Sequence, residues 1–294
     1  MTNREPQPQG MRHKKFAVFI LSNGRADNVI TVKTLRKYGY TGDIKIICDN
    51  LDPQLPEYRK NYPGMVEVFD KPAYAKKIDT GINNDKEMRA IVYARNASYD
   101  IADRLGLTHF MQCDDDYAYF GYREEKDGVL YTREHYHLDE SFDAMMDFLD
   151  TTPAMTIAFA QGGDYIGGAG NPFFYKGLTR KCMNSFFCRT DRRVHFVGKQ
   201  NEDVSTYVTL GSRGGLLFTY TKHYIRPMAT QQQPGGMTEA YKESGGYIKP
   251  FSSVVFAPNC IKVSYLNSGH GRIHHHILWG GAVPMIINER WKSD

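Results

Sequence analysis

Residues 16–21 read FAVFIL, and the polar loop Ser22-Asn23-Gly24 follows them directly. An unbroken apolar run of this length, ended by a turn signal, is typical of a strand that is covered on both faces, as the strands of parallel sheets are. Apolar residues at helical spacing follow over residues 29–35, and a second apolar run, residues 44–48, ends at Asp49. This order predicts a β-α-β unit at the start of an α/β fold.

The rest of the chain divides into two patterns. Further buried strands are expected at residues 66–69, 110–113 and 155–160, and amphipathic helices at residues 87–105 and 138–149. Later strand patterns lie at residues 185–188, 194–197, 216–220, 253–256 and 261–265, with one helix that starts near Asn201. We therefore expect a single α/β domain with a mixed central sheet over residues 15–294. It has an α/β half (15–170) and a β-rich half (171–294), preceded by a disordered leader (1–14).

Composition excludes several classes of protein. Of the 294 residues, 41% are hydrophobic and 24% are charged, which is typical of a folded globular protein and not of a disordered or fibrous one. No apolar run approaches the roughly 20 residues that cross a bilayer, and the polar start does not resemble a signal peptide, so we expect a soluble cytoplasmic protein without a membrane partner. Five scattered cysteines without a C-x-x-C pair indicate reduced thiols. The net charge of +4 is too small to indicate a polyanionic partner by itself.

Three carboxylates follow the strand that is expected near the centre of the sheet. Asp114, Asp115 and Asp116 come directly after residues 110–113, at a carboxyl strand end, where open α/β sheets bind ligands. The three would repel one another unless a cation or hydrogen-bond donors neutralised them. With the alternation of an extended chain, Asp114 and Asp116 face one site for Mg²⁺ or Mn²⁺, and Asp115 points away toward a ribose or a basic side chain. The alternative is a solvated acidic turn.

Polar and basic residues of other segments are expected at the same edge of the sheet. Ser22, Asn23 and Arg25 lie in the first loop, Asp49 ends the second strand, and Arg89 and Arg95 belong to the helix before the acidic strand. Together with Asp114 and Asp115 they predict a nucleotide site in which arginines face phosphates. The alternative for each arginine is a surface position. Neither a G-x-G-x-x-G nor a Walker motif is present, which disfavours dinucleotide and P-loop ATP chemistry.

A second acidic motif is Asn201-Glu202-Asp203, which precedes apolar residues at helical spacing and therefore lies where a helix begins. Acidic residues there stabilise a helix N-terminus, and this structural role is one alternative. The other is catalysis, because a carboxylate that faces the acidic strand can accept the proton of an attacking hydroxyl. We expect Asp203 to be that base, with Glu202 beside it in the catalytic site.

Histidines cluster near the end of the chain, in the segment Arg272-Ile273-His274-His275-His276. Imidazole is a common metal ligand, although a histidine is more often structural. In a strand, His274 and His276 share one face and His275 lies on the other, so only some of them can reach one metal ion. His270 is a further candidate.

Residues 176–199 form a basic segment with seven lysines and arginines and one acidic residue, a local charge of +6, and with interleaved aromatic rings. This mixture is typical of a surface that binds phosphates and stacks on exposed bases. The candidates for nucleic-acid contact are Arg180, Lys181, Phe186, Phe187, Arg189, Arg192 and Arg193. The alternative is that the aromatic residues belong to the core.

Several of these motifs resemble one known family. The segments FAVFILSNGRADNVITVKTL, VYARNASYDIA, FMQCDDDYAYF, AFAQGGDYIGGA, MNSFFCRTDR and QNEDVSTYVTLGSRG are similar to the phage-type TET-associated DNA glycosyltransferases, over most of the chain. That family is similar in turn to GT-A glycosyltransferases. The resemblance therefore implies a GT-A-like, Rossmann-type core that binds a UDP-sugar donor, with Mn²⁺ or Mg²⁺ as cofactor.

The resemblance also implies roles for individual residues. Asp114 and Asp116 match the D-x-D metal motif, Asn201-Glu202-Asp203 matches the x-E-D base motif, and RIHH, with His274 and ending at His275, matches the C-terminal metal histidine. The implied acceptor is 5-hydroxymethylcytosine in double-stranded phage DNA, made by a companion TET-like oxygenase in the cytoplasm of an infected bacterium. In this interpretation Phe186 or Phe187 is a wedge or stacks on an extruded base. The alternative is that the substituent is reached in the major groove without full base flipping. The loop of residues 233–238 resembles the mobile loop that closes over donor phosphates.

Other functions fit parts of the sequence. Acidic clusters with arginines also serve phosphoryl transfer, as in a sugar-nucleotidyltransferase or a metal-dependent nuclease. A closer alternative is sugar transfer to another hydroxymethylated base or polymer. A non-catalytic DNA-binding protein would use only the basic segment, and the intact Asp116 and Asp203 argue against it.

Overall fold

A computed structural model describes residues 15–81, 88–165, 168–170, 177–228, 248–266 and 272–284. The expected leader (1–14), the loop of residues 233–238 and His270 lie outside these ranges. In the described part of the chain, no helix combines the length and the apolar character that crossing a membrane requires.

The strands of the described ranges are β1 (Phe16–Leu21), β2 (Asp43–Asp49), β3 (Val66–Phe69), β4 (His109–Asp114), β5 (Tyr117–Lys126), β6 (Val129–Glu134), β7 (Thr156–Ala160), β8 (Phe186–Arg189), β9 (Leu217–Pro227), β10 (Ile261–Leu266) and β11 (Arg272–Ile277). One sheet has the order β3-β2-β1-β4-β8-β7-β9-β5-β6, and β10 pairs with β11 separately. Within the large sheet β5 and β8 run opposite to the other strands. The expected α/β class with a mixed central sheet is confirmed.

Helices cover both faces of this sheet. They are α1 (Ile30–Lys37), α2 (Leu55–Asn61), α3 (Lys71–Ala75), α4 (Val92–Arg104), α5 (Leu138–Thr151), α6 (Glu202–Gly211), α7 (Ile248–Phe256) and α8 (Trp279–Ala282). Every residue of β1 is buried, and alternate side chains enter opposite cores. Ala17, Phe19 and Leu21 pack with α4 and α6, whereas Phe16, Val18 and Ile20 pack with α1 and α5. Burial on both faces explains why the run FAVFIL shows no polar alternation.

The structure differs from the sequence-based expectation in the second half. The segment of residues 194–197 is irregular and not a strand. Residues 253–256 belong to α7 and not to a strand, although their Ser-Ser-Val-Val-Phe context has β-branched residues that favour strands. The hairpin of β5 and β6 was not predicted, because its burial pattern is largely exposed at β6 and its sequence is rich in charged residues.

The direction of the strands brings distant segments to one edge. β1, β2, β4, β7 and β9 all end at the same edge, and β5 begins there. The loop after β1, the end of β2 and the turn after β4 therefore meet, as carboxyl strand ends do in open α/β sheets.

Candidate active site

The acidic motif forms a tight turn between two strands. β4 ends at Asp114, Asp115 and Asp116 are the turn, and β5 begins at Tyr117. Thr31 of α1 holds this turn, because its hydroxyl donates to the carbonyl of Asp114 (2.7 Å) and accepts from the amide of Tyr117 (2.9 Å). On the other side the amide of Met228 donates to the carbonyl of Asp116 (2.9 Å). The backbone under the three carboxylates is thus held by α1 and by the end of β9.

Asp115 points into the first loop. Its carboxylate accepts from Ser22 Oγ (2.6 Å) and from Arg25 Nη1 (2.6 Å), and the residue is buried. Tyr58 of α2 bonds to the same loop, through Ser22 Oγ (2.7 Å) and the amide of Arg25 (2.8 Å). Both oxygens of Asp115 therefore accept hydrogen bonds from protein donors. Asp115 thus orders the first loop, whose residues Ser22, Asn23 and Arg25 were expected to contact a nucleotide.

Asp49 forms a second polar pocket at the end of β2. Its Oδ2 accepts from Asn23 Nδ2 (2.8 Å) and from Lys71 Nζ (2.8 Å), and its Oδ1 accepts from the amide of Leu51 (3.0 Å). Lys71, at the start of α3, was missed from the sequence. The available signal was its place directly after the carboxyl end of β3, where side chains of a parallel sheet face the ligand crevice.

The surroundings of Asp114 and Asp116 disfavour the ionised form of each carboxylate. Burial raises the pKa of Asp114 to about 7, against the lowering effect of Arg95 and with a further rise from the charge of Asp116. Burial and the charge of Asp115 raise the pKa of Asp116 to about 6. A divalent cation would reverse both shifts, and two carboxylates suit a hard cation. Within the described ranges no three acidic, histidine or cysteine side chains form a metal cluster.

Arg95 lies in the interior and not on the surface of the expected nucleotide site. It is 1% exposed. Its Nη2 donates to Asp114 Oδ1 (3.2 Å) and its Nε donates to Glu202 Oε1 (2.9 Å). Burial lowers the pKa of Arg95, but the charges of Asp114 and Glu202 more than reverse this and leave it above its ordinary value. The assignment of Arg95 to donor phosphates is therefore wrong in this structure. Arg89 lies half-buried in the segment before α4.

The motif Asn201-Glu202-Asp203 starts α6, as expected. Asn201 has a left-handed backbone (φ 52°, ψ 41°), and its side chain makes no cap but donates to the carbonyl of Lys249 (2.6 Å). Glu202 is buried against Arg95. Asp203 is half-buried, and burial, followed by the charge of Glu202, raises its pKa to about 6. Of the two carboxylates, Asp203 is the better placed to exchange a proton with a ligand.

His275 reaches this region from β11. It is buried, whereas His274 is half-buried and His276 is exposed. The difference between His275 and His276 agrees with the expectation that they lie on opposite faces of the strand. The Nδ1 atom of His275 lies 3.5 Å from Asn201 Nδ2, and its Nε2 atom lies 3.5 Å from Lys181 Nζ. His275 therefore stands beside the start of α6 and a lysine. The rings of His274 and His275 are 4.1 Å apart between centroids.

The basic segment does not form one surface. Phe186 and Phe187 are 1% and 0% exposed on the central strand β8, so the expectation that they stack on a base is wrong: their rings complete the two cores. Because β8 is antiparallel to β4, Arg189 pairs with His109 and lies about 16 Å from the acidic turn at roughly 3.3 Å per residue.

The arginines at that far edge have structural partners. Arg189 pairs with Asp150 and Asp191, and Arg193 with Asp100 and Asp103. Arg192 donates to the carbonyls of Leu149, Thr152 and Ala154 at the end of α5. Only Arg180 and Lys181 of the candidate set lie toward the acidic edge, where Arg180 pairs with Asp164 (2.7 Å) after β7. Of this segment, only Arg180 and Lys181 therefore remain candidates for nucleic-acid contact.

No curated protein matches the sequence. The fold is similar to glucosyl-3-phosphoglycerate synthase from Mycobacterium tuberculosis, solved with Mg²⁺ and UDP (8% identity, TM-score 0.42, covering 92% of this chain and 89% of that one). It is also similar to the mannosyltransferase PcManGT from Pyrobaculum calidifontis, solved with GDP-Man and Mn²⁺ (9% identity, TM-score 0.46, 82% and 64%). A third similar structure is S. aureus TarS 1–349 with UDP-GlcNAc (12% identity, TM-score 0.42, 77% and 61%).

The sequence itself matches a family model. The model is that of the TET-Associated Glycosyltransferase, and it matches residues 16–236. This range contains the first loop, Arg95, the acidic turn and the start of α6. The match spans most of the 294 residues, and the chain accordingly belongs to the TET-associated glycosyltransferase family and is a glycosyltransferase.

Proposed function

We propose that this glycosyltransferase moves a sugar from a UDP-sugar to the hydroxymethyl group of 5-hydroxymethylcytosine in double-stranded DNA. The acceptor would be phage DNA that a TET-like oxygenase has oxidised in the cytoplasm of the infected bacterium. In this proposal residues 15–170 bind the donor and residues 171–294 complete the acceptor side. The family membership supports sugar transfer, and the layout of the acidic edge supports the roles below.

The first loop and the end of β2 bind the nucleoside. The Asn23 amide and the Lys71 ammonium both donate to the Asp49 carboxylate, so a ribose or a pyrimidine edge can exchange with these contacts. Arg25 stays at the mouth of the loop, tied to Asp115. The network of Ser22, Asp115 and Tyr58 sets the loop before the donor arrives, which reduces the ordering entropy that binding must overcome.

The turn holds the metal. Asp114 Oδ2 and Asp116 would hold Mn²⁺ or Mg²⁺, since Asp114 Oδ1 faces Arg95 and both residues have raised pKa values that a cation would lower. His275 and His274 are the candidates for a further ligand. Bound there, the metal would stabilise the charge that develops on the departing diphosphate.

Asp203 is the general base. It accepts the proton of the hydroxymethyl group while the hydroxymethyl oxygen bonds to the anomeric carbon and the bond from that carbon to the diphosphate oxygen breaks. UDP leaves with the electron pair of that bond, and the proton on Asp203 passes to solvent. A single displacement of this kind inverts the anomeric configuration. Glu202 lies beside the base, with its carboxylate buried against Arg95.

The observation that carries the proposal is the link between the two acidic motifs. Through Arg95, Asp114 and Glu202 are joined by contacts of 3.2 and 2.9 Å, and Asp203 follows Glu202 in the first turn of α6. The acidic turn and Asp203, whose residues are 89 positions apart in sequence, therefore lie near one shared arginine. This supports a reaction that needs both a cation and a base, as transfer from a diphosphate to a hydroxyl does.

The test is mass spectrometry of nucleosides from double-stranded DNA that carries 5-hydroxymethylcytosine, after incubation with the full chain, Mn²⁺ and single UDP-sugars. We expect a mass gain of one sugar residue on 5-hydroxymethylcytosine and stoichiometric release of UDP. DNA with cytosine or 5-methylcytosine is the control for the acceptor, and Asp203→Asn is the control for the base.

Each other outcome has a definite meaning. Transfer to a different hydroxymethylated base would keep the reaction and replace the acceptor. Release of pyrophosphate would indicate a nucleotidyltransferase, and cut DNA a nuclease. Absence of metal-dependent UDP binding would overturn the donor assignment.

A further inference from the structure

Arg95 is the least exposed charged residue in the part of the chain that the structure describes. It lies in the first turn of α4, the helix that precedes the acidic strand. The site already described surrounds it on two sides, with the turn of Asp114 on one and the start of α6 on the other.

The guanidinium of Arg95 contacts two other elements, β4 and α6. Nη2 faces Asp114 of β4 (3.2 Å), Nε faces Glu202 of α6 (2.9 Å), and Nη1 lies 3.5 Å from Gln112 Oε1. Gln112 in turn donates from Nε2 to the backbone carbonyl of Arg95 (2.8 Å), so the arginine is held at both ends. The Cζ atom lies 4.9 Å from the centroid of the Phe186 ring and 5.8 Å from that of Phe196.

This arrangement depends on the shape of the side chain. A guanidinium is planar and presents donors at fixed angles, so it can hold two carboxylates from different elements in one relative position. The ring of Phe186 packs on its face and excludes water, as burial of the aromatic residue shows. A lysine would supply the charge but not the fork.

We propose that Arg95 is a positioning residue that sets the distance between the Asp114 turn and the Glu202-Asp203 start of α6, and that it contacts neither donor nor acceptor. The inference rests on the proposed roles of Asp114 in metal binding and Asp203 in proton transfer. Its physical basis is that Asp203 is the neighbour of Glu202 in the same helical turn, so any movement of Glu202 displaces the base. Misplacement of a reacting group by about 1 Å costs on the order of 100-fold in rate.

The experiment uses three variants of the full chain. Arg95→Lys keeps the charge, Glu202→Gln removes the charge of the helix partner, and the double variant completes a cycle. Arg104→Met is the matched control, because Arg104 lies at the other end of α4 and pairs with Glu67 (2.9 Å) on the surface. Thermal unfolding and far-ultraviolet circular dichroism establish that each variant folds. Calorimetry then measures UDP binding in the presence of a chelator and, separately, Mn²⁺ binding in the presence of UDP.

We expect Arg95→Lys to bind UDP without metal within about twofold of the native protein, to bind Mn²⁺ at least tenfold more weakly, and to lose about 100-fold in kcat with a donor KM changed less than threefold. Because Arg95 acts through Glu202, the double variant should be no slower than the slower single variant. Arg104→Met should match the native protein in all of these measurements.

Three results would overturn the inference. A tenfold loss of metal-free UDP affinity in Arg95→Lys would make Arg95 a donor ligand, and native Mn²⁺ affinity and kcat in that variant would deny it a positioning role. Fully additive losses in the cycle would deny the coupling. The binding measurements need no acceptor, so if the native chain transfers no sugar to 5-hydroxymethylcytosine, the proposed acceptor fails while Arg95 is still judged by metal and UDP binding.

Discussion

Three successive residues at the start of α6 have three different environments. The left-handed backbone of Asn201 directs its amide to Lys249 and toward His275, Glu202 turns inward to Arg95, and Asp203 is half-buried. A left-handed conformation is uncommon outside glycine, and Asn tolerates it better than most residues. The local backbone therefore separates residues that a regular helix start would place side by side.

Replacement of Asp203 by Asn tests the base. We expect kcat to fall by about 10²- to 10⁴-fold while UDP affinity stays the same, because Asn keeps the size and an acceptor oxygen but cannot take a proton. The variant should also gain thermal stability at pH 7, since it removes a carboxylate that burial disfavours in its ionised form. Steady-state kinetics and thermal unfolding check the two effects, and a variant that lost stability together with activity would indicate a structural role.

The pH dependence of the reaction should report the same group. The pKa of Asp203 is raised to about 6, and only the ionised form is a base. At saturating Mn²⁺, which keeps Asp114 and Asp116 ionised, kcat/KM is expected to fall tenfold for each pH unit below about pH 6 and to be level above it. For folding the sign is opposite: the raised pKa costs stability above pH 6, and this cost disappears as the pH falls toward the unfolded value near 4. A flat kcat/KM profile between pH 5 and pH 7 would argue against Asp203.

At the scale of elements, α1 supports the acidic turn through the hydroxyl of Thr31 and through the amide of Thr31, which donates to the carbonyl of Asp115 (3.2 Å). Thr31 is fully buried and bonds on both sides of the turn. Thr34, one turn later in the same helix, is also buried but bonds only to the carbonyl of Ile30 within α1. The two residues are a natural pair for separating support of the turn from helix stability.

Replacing Thr31 by Val leaves the amide of Tyr117 and the carbonyl of Asp114 without this partner, so we expect the free energy of unfolding to fall by about 2 kcal/mol. Thr34→Val should cost less than about 1 kcal/mol, because its bond lies within the helix. Urea denaturation measures both, and calorimetry should show weaker Mn²⁺ binding for Thr31→Val alone. Equal losses in the two variants would mean that Thr31 does not support the turn.

At the scale of the whole molecule, the sheet separates the basic segment into two places. Lys181 lies beside His275 near the acidic edge, whereas Arg189 and Arg193 lie at the opposite edge in exposed ion pairs. Surface pairs of this kind contribute about 0–1 kcal/mol to stability and leave little net charge for a polyanion.

Charge removal should therefore have different effects at the two edges. Lys181→Gln is expected to raise the KM for 5-hydroxymethylcytosine DNA severalfold and to lower the salt slope of DNA binding by about one. The double variant Arg189→Gln, Arg193→Gln should change DNA affinity less than twofold. Fluorescence anisotropy over a range of salt concentrations measures both. A larger effect of the double variant than of Lys181→Gln would indicate that the whole basic segment contacts DNA.

The sequence alone determined the α/β class, the strands β1, β2, β3, β4, β7, β8 and β10, the first part of β9, and the helices α4, α5 and α6. It also determined the places of both acidic motifs, because continuous burial and strand or helix ends leave local signals. The local sequence pattern predicted conformation least well where contacts with distant segments decide it. Residues 253–256 are helical in α7, and the irregular segment of residues 194–197 packs Val194 and Phe196 in a core without joining the sheet.

Only the tertiary structure decided which charged residues meet. The chain pattern cannot tell a buried arginine from an exposed one, so Arg95 was expected at the phosphates and is found between Asp114 and Glu202. In the same way, the basic and aromatic sequence around Phe186 and Phe187 is typical of a stacking surface. Both rings nevertheless lie in the cores, because β8 pairs antiparallel with β4 inside the sheet. The physical reason is that burial and ion pairing depend on contacts between distant segments, which spacing along the chain does not contain.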